Sequence, residues 1–212
     1  MSAPATAVLL RRLATAAALS LPGEERLLGH VHVRAIAARQ AAFHEDEDCS
    51  CVFVVQSGLF KQLYTKSDGT EWIKSFAGPG DLFACLKAIG EQSPTTFASV
   101  AIEHSVVERI DYRLIETLAE ASLPWQKAVR IAFQRLAEIK VQRERDLLTL
   151  SARELYRRLA ESAPQWVGRV PQKDLAGFLG VTPVGLNRII RGDVRARSIA
   201  ADTRSAATRS GA

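Results

Sequence analysis

Residues 51–83 read CVFVVQSGLFKQLYTKSDGTEWIKSFAGPGDLF, and short apolar or alternating segments in this stretch are separated by tight turns. Cys51–Val55 is apolar and β-branched, and Leu59–Thr65 alternates between two faces. Asp68-Gly69 favours a hairpin turn because glycine accepts positive φ, and Glu71–Phe76 then forms the returning strand. Several short strands with frequent turns predict a β-sandwich or a β-barrel.

The strand pattern extends from this stretch towards both ends, from about Val31 to Asp111. Phe97–Ile102 and Ser105–Asp111 are two further candidate strands, separated by polar residues. Several strands of this kind can enclose one core, so we expect a single strand-rich domain here.

The N-terminal stretch Met1–Leu21 is rich in Ala and Leu and contains Arg11 and Arg12. Its uncharged run Leu13–Pro22 is too short to span a bilayer, which takes about 20 apolar residues. The order of charge and apolar run resembles a secretory signal only loosely. We therefore expect an amphipathic helix packed on the strand domain, no membrane partner and a cytoplasmic protein.

The pattern changes after Asp111, because Tyr112–Leu150 lacks glycine and is dominated by residues that favour helices. Apolar positions in this segment recur at intervals of three and four, the spacing of a helix–helix seam. Ser151 and Glu154 then form a capping box that begins a new helix, which Ala163-Pro164 ends. The predicted dimer seam consists of Val129, Ala132, Leu136 and Ile139.

Residues 172–191 read QKDLAGFLGVTPVGLNRIIR and predict two short helices joined by a sharp turn. Gly180 allows positive φ at the turn, Thr182 can cap the second helix, and Pro183 fits its first turn. Together these features match a helix-turn-helix, although an ordinary helical hairpin in a globular core remains the alternative. The apolar positions of the pair are Leu175, Leu179, Leu186 and Ile189.

The second of these helices is expected to enter the major groove of DNA. Arg188 can bond the edge of guanine and Asn187 can read adenine, because their side chains match those donor and acceptor patterns. Arg169, Lys173 and Arg191 are better placed to contact phosphates. The complete set of predicted DNA-binding residues is Arg169, Lys173, Thr182, Val184, Gly185, Asn187, Arg188 and Arg191.

The charge balance of the 212-residue chain agrees with a polyanionic partner but indicates it only weakly. Lys and Arg number 28 against 23 Asp and Glu, which gives a formal net charge of +5. Gly192–Ala212 is rich in Ala, Ser, Thr and Arg and has no aromatic residue. We expect this tail to be disordered and to lack a β-hairpin.

With these motifs in place, the chain resembles the Crp/Fnr family of transcription regulators. The order of parts is the same, and the motifs together are specific although single pieces are weak. The matching segments are Phe53–Gly58, Asp68-Gly69, Gly78–Phe83, Val107–Asp111, Glu144–Glu154 and Val170–Ile190.

The resemblance implies an α+β fold and a division of the chain into four parts. These are a β-roll sensor domain of the cyclic-nucleotide-binding jelly-roll type (1–122), a dimerisation helix (123–149), a helix-turn-helix domain (150–192) and a disordered tail (193–212). It also implies a homodimer bound to two half-sites of double-stranded DNA, and it leaves RNA polymerase open as a further partner.

The resemblance breaks down at the effector pocket. Members that bind cyclic AMP carry Gly-Glu and Arg-Ser where this chain has Ala84-Cys85 and Thr95-Thr96. Burying a phosphate without a cation is costly, so we expect an unknown small-molecule effector other than cyclic AMP. The candidate pocket residues are Phe83, Ala84, Cys85, Thr95 and Thr96.

The three cysteines, Cys49, Cys51 and Cys85, do not supply the four that iron–sulfur members of the family need. Cys49 and Cys51 lie beside the acidic run His44–Asp48, which is expected to raise the pKa of both thiols and to form a solvated turn. Packing as small apolar side chains is favoured for these two cysteines, and a metal or redox role is the alternative.

Nothing in the sequence indicates a cofactor, a metal site or the catalytic motifs of an enzyme. Two functions therefore remain. One is a DNA-binding transcription regulator, and the other is a sensor or adaptor whose helix-turn-helix makes protein contacts only. Salt-dependent DNA binding would distinguish them.

Overall fold

The computed structural model describes residues 8–18 and 20–193. The chain divides into two compact units between Arg143 and Glu144. The helices are α1 (Val8–Ala17), α2 (Glu24–Leu28), α3 (Leu86–Glu91), α4 (Tyr112–Ala121), α5 (Leu123–Thr149), α6 (Ala152–Ser162), α7 (Pro164–Val167), α8 (Gln172–Phe178) and α9 (183–193).

Within the described residues, eight strands form two four-stranded antiparallel sheets, which together are called the β-roll. The first sheet has the order β1-β8-β3-β6, and the second has the order β2-β7-β4-β5. The strands are β1 (His32–Ile36), β2 (Ala41–Phe43), β3 (Cys51–Ser57), β4 (Phe60–Thr65), β5 (Glu71–Ala77), β6 (Leu82–Phe83), β7 (Ala98–Ala101) and β8 (Ser105–Asp111).

Strand β3 is buried on both faces because it separates two apolar clusters. Its alternation places Phe53 and Val55 in an inner cluster between the sheets, and Val52 and Val54 in an outer cluster. Aromatic rings fill the inner cluster, and the rings of Phe53 and Phe83 stack with their centroids 5.1 Å apart. The uninterrupted apolar run Cys51–Val55 of β3 is therefore explained by burial on both faces.

The outer cluster is covered by α1 and by the beginning of α5. Leu9, Leu10 and Leu13 share one face of α1 and are at most 4% exposed. Burying a leucine side chain contributes about 1.5–3 kcal/mol, so this face holds α1 to the β-roll. Trp125 of α5 is fully buried in the same cluster, and its indole N–H donates to the Pro22 carbonyl at 2.7 Å.

A buried carboxylate fixes the beginning of α1. Glu108 of β8 is 1% exposed, and its two oxygens accept the backbone N–H groups of Val8 and Leu9 at 2.7 and 3.0 Å. The Gln56 amide donates to the same carboxylate at 2.8 Å. These bonds satisfy helix-terminal donors that lack a partner within the helix and place negative charge at the positive end of α1.

The predicted mixed α+β architecture, with an N-terminal jelly-roll-like sheet domain and a long helix, is confirmed. The segments predicted as strands overlap β3, β4, β5, β7 and β8, although β3 and β5 extend beyond the predicted ends, and α1 lies in the predicted N-terminal helix. Ser151 and Glu154 form the expected capping box, and Ala163 ends α6. None of the helices in the described part of the chain is long and apolar enough to cross a membrane.

One boundary requires correction. The sequence assigns Asp193 to the disordered tail, but it lies in α9 and is 5% exposed. Its carboxylate pairs with Arg153 at 2.8 Å and with Arg157 at 3.1 Å, so two contacts with α6 hold the end of α9. Residues 194–212 of the predicted tail lie outside the described residues.

Candidate functional site

The predicted effector-pocket residues lie on and around β6 and α3, but they do not form one surface. Phe83 belongs to the inner cluster and Ala84 to the outer cluster. Cys85 and Thr96 meet, because the Thr96 backbone N–H donates to the Cys85 sulfur at 3.4 Å. The Thr96 hydroxyl oxygen is 3.6 Å from the same sulfur.

Thr95 has a different place from its neighbour, because it is bonded to the acidic loop. Its hydroxyl donates to the His44 carbonyl and accepts the Glu47 backbone N–H at 3.1 Å. Its own N–H donates to the Glu47 carbonyl at 2.9 Å, and its carbonyl accepts the Asp46 N–H at 2.8 Å. With 1% exposure, Thr95 fixes the conformation of this loop.

Backbone donors surround the sulfur of Cys85. Burial raises the pKa of this thiol, but hydrogen bonds from the backbone N–H groups of Thr96, Ala88 and Lys87 outweigh burial, and the pKa is lowered overall. Such N–H groups favour the thiolate because they stabilise negative charge on the sulfur.

Sequence reasoning missed the charged side chain in this region, Lys74 of β5. Its ammonium nitrogen lies 3.5 Å from the centre of the Phe97 ring and 5.7 Å from the centre of the Tyr64 ring. Burial lowers the pKa of Lys74 to about 8, and the nearby Lys140 ammonium on α5 lowers it further. Strand alternation does not reveal this position, because β5 has a bulge there.

Cys49 and Cys51 both lie in the inner cluster and carry free thiols, which agrees with the favoured packing role. The prediction that acidic neighbours raise both pKa values is wrong for Cys49. A hydrogen bond from the Cys51 thiol lowers the pKa of Cys49 and outweighs Glu47, while the same contact raises the pKa of Cys51. The described residues contain no group of three or more side chains arranged to hold a metal ion.

In the second unit, α8 and α9 are joined by a tight turn. Gly180 has φ 70°, and Thr182 accepts the Gly185 backbone N–H at 3.1 Å as the predicted cap of α9. Leu175, Leu179 and Leu186 are at most 3% exposed. The glycine is needed because the turn requires a left-handed backbone conformation.

The predicted DNA-binding residues lie mostly on the surface of this helix pair. Val184 is 63% exposed, Arg188 and Arg191 of α9 are exposed, and Lys173 is exposed on α8. Gly185 and Asn187 are half-buried, and Thr182 and Arg169 are exposed. The second unit therefore presents several cationic side chains on and beside α9.

The predicted dimer seam runs along α5 with decreasing burial. Val129 and Ala132 are half-buried against the outer cluster of their own chain. Leu136 is half-buried, and Ile139 is 67% exposed. Part of the seam thus already has apolar partners within the chain.

The β-roll consists of two antiparallel sheets around the inner cluster, and this arrangement can be compared with known domains. Residues 33–122 match the family model of the cyclic nucleotide-binding domain. The β-roll is therefore similar to cyclic nucleotide-binding domains. No curated protein sequence matches the chain significantly.

Solved structures resemble the β-roll together with the helices that follow it. The c-di-GMP-responsive global regulator CLP of Xanthomonas campestris shares 17% identity at a TM-score of 0.64, over 82% of this chain and 91% of that one. FixK2 of Bradyrhizobium japonicum shares 21% identity at a TM-score of 0.62, over 80% of this chain and 86% of that one. A CooA mutant of Carboxydothermus hydrogenoformans shares 15% identity at a TM-score of 0.62, over 79% of this chain and 78% of that one. These similarities establish a shared fold.

Proposed function

We propose that this protein is a DNA-binding transcription regulator of the Crp/Fnr type that acts in the cytoplasm as a homodimer. The observation that carries the proposal is the helix pair α8–α9, with its tight turn at Gly180 and its exposed basic residues. A helix-turn-helix presents its second helix to the major groove, and α9 has the exposed Arg188 and Arg191 that such a role requires.

The burial pattern favours this function over a helical hairpin in a globular core. A core hairpin would bury the apolar residues at the beginning of its second helix. Val184 at that position is instead 63% exposed, while Leu186 on the opposite face is fully buried. An exposed apolar residue beside basic ones suits contact with a thymine methyl group.

Dimerisation is proposed to occur along α5. Leu136 and Ile139 are one helical turn apart, and Ile139 is largely exposed within the single chain. A second copy would bury this apolar surface, and its symmetry would place two α9 helices on two half-sites of one duplex.

Genome-wide mapping of bound DNA with the purified protein tests the proposal. We expect a site with two inverted half-sites separated by about one helical turn, roughly 10 base pairs from centre to centre. Arg188→Ala should weaken the enrichment and broaden the motif at one base pair per half-site. The control Arg34→Ala changes an exposed arginine on β1 and should leave it intact.

Failure to enrich any sequence would exclude this function and favour the sensor or adaptor role. An enriched site without inverted symmetry would retain DNA binding but contradict the dimer.

A further inference from the structure

A bulge in the second sheet changes the direction of Lys74. Gln62 of β4 pairs with Ser75, and the next residue, Leu63, pairs with Ile73, so Lys74 has no partner across the ladder. An extra residue in one strand redirects its side chain relative to regular alternation. The Lys74 ammonium consequently lies over Phe97, a residue of the inner cluster that is 3% exposed.

The charge at this position is not balanced by a carboxylate. Within the described part of the chain, Lys74 forms no ion pair with Asp or Glu, and the nearby Lys140 has the same sign. Desolvation and like charge both disfavour an ammonium group, and the aromatic rings and the nearby Cys85 thiol compensate only in part. An anion bound beside Lys74 would relieve both costs.

Polar side chains of β4, β5 and β7 lie next to the bulge. Gln62 is 3% exposed and Ser99 is fully buried. The Ser75 hydroxyl donates to the Gln62 carbonyl oxygen at 2.7 Å. The Gln62 amide nitrogen makes a long bond of 3.5 Å to the Ser99 hydroxyl, so an N–H group is available for a better acceptor.

The rings beside Lys74 determine the shape of the ligand. Tyr64 and Phe97 lie edge to face with their centres 6.3 Å apart, and Tyr64 is 42% exposed. Of the two rings, Tyr64 is therefore the one that faces solvent. If the ammonium moves to an anion, the face of the Phe97 ring becomes available to a flat apolar group.

We propose that Lys74 binds the carboxylate of a small organic monoanion whose flat apolar body packs on Phe97. Lys74 and the nearby Lys140 supply positive charge at the site and the Cys85 thiol offsets part of it, so one negative charge on the ligand is sufficient. The proposal rests on the proposed function only in that such a ligand would be the effector of the regulator. Binding itself needs neither DNA nor a dimer.

Isothermal titration calorimetry of the full chain tests this proposal with benzoate as the probe and benzamide as its uncharged counterpart. We expect benzoate to bind at pH 7 and benzamide to bind at least about tenfold more weakly, because hydrogen bonds to charged groups are the stronger ones. Lys74→Met should weaken benzoate binding by a similar factor, and Lys74→Arg should retain it.

Lys66→Met is the matched control, because Lys66 also lies over a ring, that of Trp72 at 4.7 Å, but is exposed. It should bind benzoate as the unmodified protein does. A second readout is the NMR titration of the Lys74 side chain, whose pKa should rise when benzoate is bound.

No binding of benzoate, equal binding of benzoate and benzamide, or unchanged binding by a folded Lys74→Met variant would each overturn the proposal. A Lys74 pKa that does not respond to benzoate would do the same. Since no DNA is present, these outcomes are independent of whether the protein is a transcription regulator.

Discussion

Glu108 is a buried carboxylate whose hydrogen-bond donors all come from the chain itself. Its carboxylate accepts three hydrogen bonds in place of those that water would donate. Two come from the backbone of α1 and one comes from Gln56. Two of these contacts join residues about a hundred positions apart in sequence. Removing the carboxylate would leave buried donors without partners, which costs more than a typical hydrogen bond contributes.

We therefore expect Glu108→Ala to lower the free energy of unfolding by about 2–4 kcal/mol, from the unsatisfied donors and the cavity left behind. Urea denaturation monitored by circular dichroism measures the change. Glu120→Ala, at an exposed position of α4, is the control and should change stability by less than about 0.5 kcal/mol. Equal effects of the two substitutions would show that Glu108 does not hold α1.

Two glycines with similar backbone conformations should respond differently to alanine. Gly58 has φ 94°, and an added Cβ would lie 2.6 Å from the Ser105 Cα. Gly69 has φ 80°, and its Cβ would meet nothing within 4 Å. Gly69→Ala should cost about 1–2 kcal/mol from positive φ alone. Gly58→Ala should lower the free energy of unfolding clearly more. Thermal unfolding of both variants measures the difference, and an equal or smaller loss for Gly58→Ala would contradict this ranking.

The lowered pKa of Lys74 predicts a pH effect on stability. Its folded pKa is about 8, whereas an unfolded lysine has a pKa of about 10.4. Between these values the unfolded state binds more protons, so the free energy of unfolding should rise as the pH increases through this window. The groups facing Lys74 are Lys140 and the Cys85 thiol.

The measurement is urea unfolding of the unmodified chain and of Lys74→Met from pH 7 to 10. Subtracting the two curves removes the contribution of other titrating groups. The difference should show the rise between about pH 8 and 10. Parallel curves would mean that Lys74 titrates normally in the folded protein.

Among the elements, α5 carries the prediction about assembly. Leu136→Glu would place a charge on the proposed seam and should convert the dimer into monomers, because an unpaired buried charge is strongly unfavourable. Sedimentation velocity distinguishes the two states. Leu123→Glu, at a position that is 78% exposed and outside the seam, should remain dimeric. A Leu136→Glu variant that stays dimeric would place the interface elsewhere.

The elements themselves were largely predictable from local patterns. Residues 59–65 alternate, Asp68-Gly69 marks a turn, and Ser151 with Glu154 begins a helix, and each of these signals lies within a few positions. The features that were missed depend on contacts between distant segments. The bulge at Lys74 and the partners of Glu108 are of this kind, because neither changes the local sequence pattern.

Asp193 and Thr95 illustrate the same limit at the candidate sites. The tail composition around Asp193 favours disorder, yet two arginines of α6 hold its carboxylate in place. Thr95 occupies the position of a pocket residue in the family motif, but it bonds to residues 44–47. Sequence position alone does not show which of two neighbouring threonines bonds to residues 44–47 and which bonds to Cys85.

For the whole molecule, we propose that the exposed basic residues of the second unit bind DNA and that they have distinct roles. The guanidinium group of Arg188 suits the O6 and N7 atoms of guanine, so Arg188→Ala should cost about 1–3 kcal/mol at the specific site and relax preference at one base pair per half-site. Lys173→Ala should lower the affinity for every DNA sequence by about the same factor, because a phosphate contact carries no sequence information. If Arg188→Ala loses the same affinity for specific and for random DNA, Arg188 contacts a phosphate and does not read a base.

The most direct test is the affinity for duplex DNA as a function of salt, measured by fluorescence anisotropy. Release of counterions predicts that the logarithm of the association constant falls linearly with the logarithm of the salt concentration. The slope should decrease by about one unit per subunit in Lys173→Ala. A protein that is folded but binds no DNA at low salt, or binds it with no dependence on salt, would contradict the claim that this protein is a DNA-binding regulator.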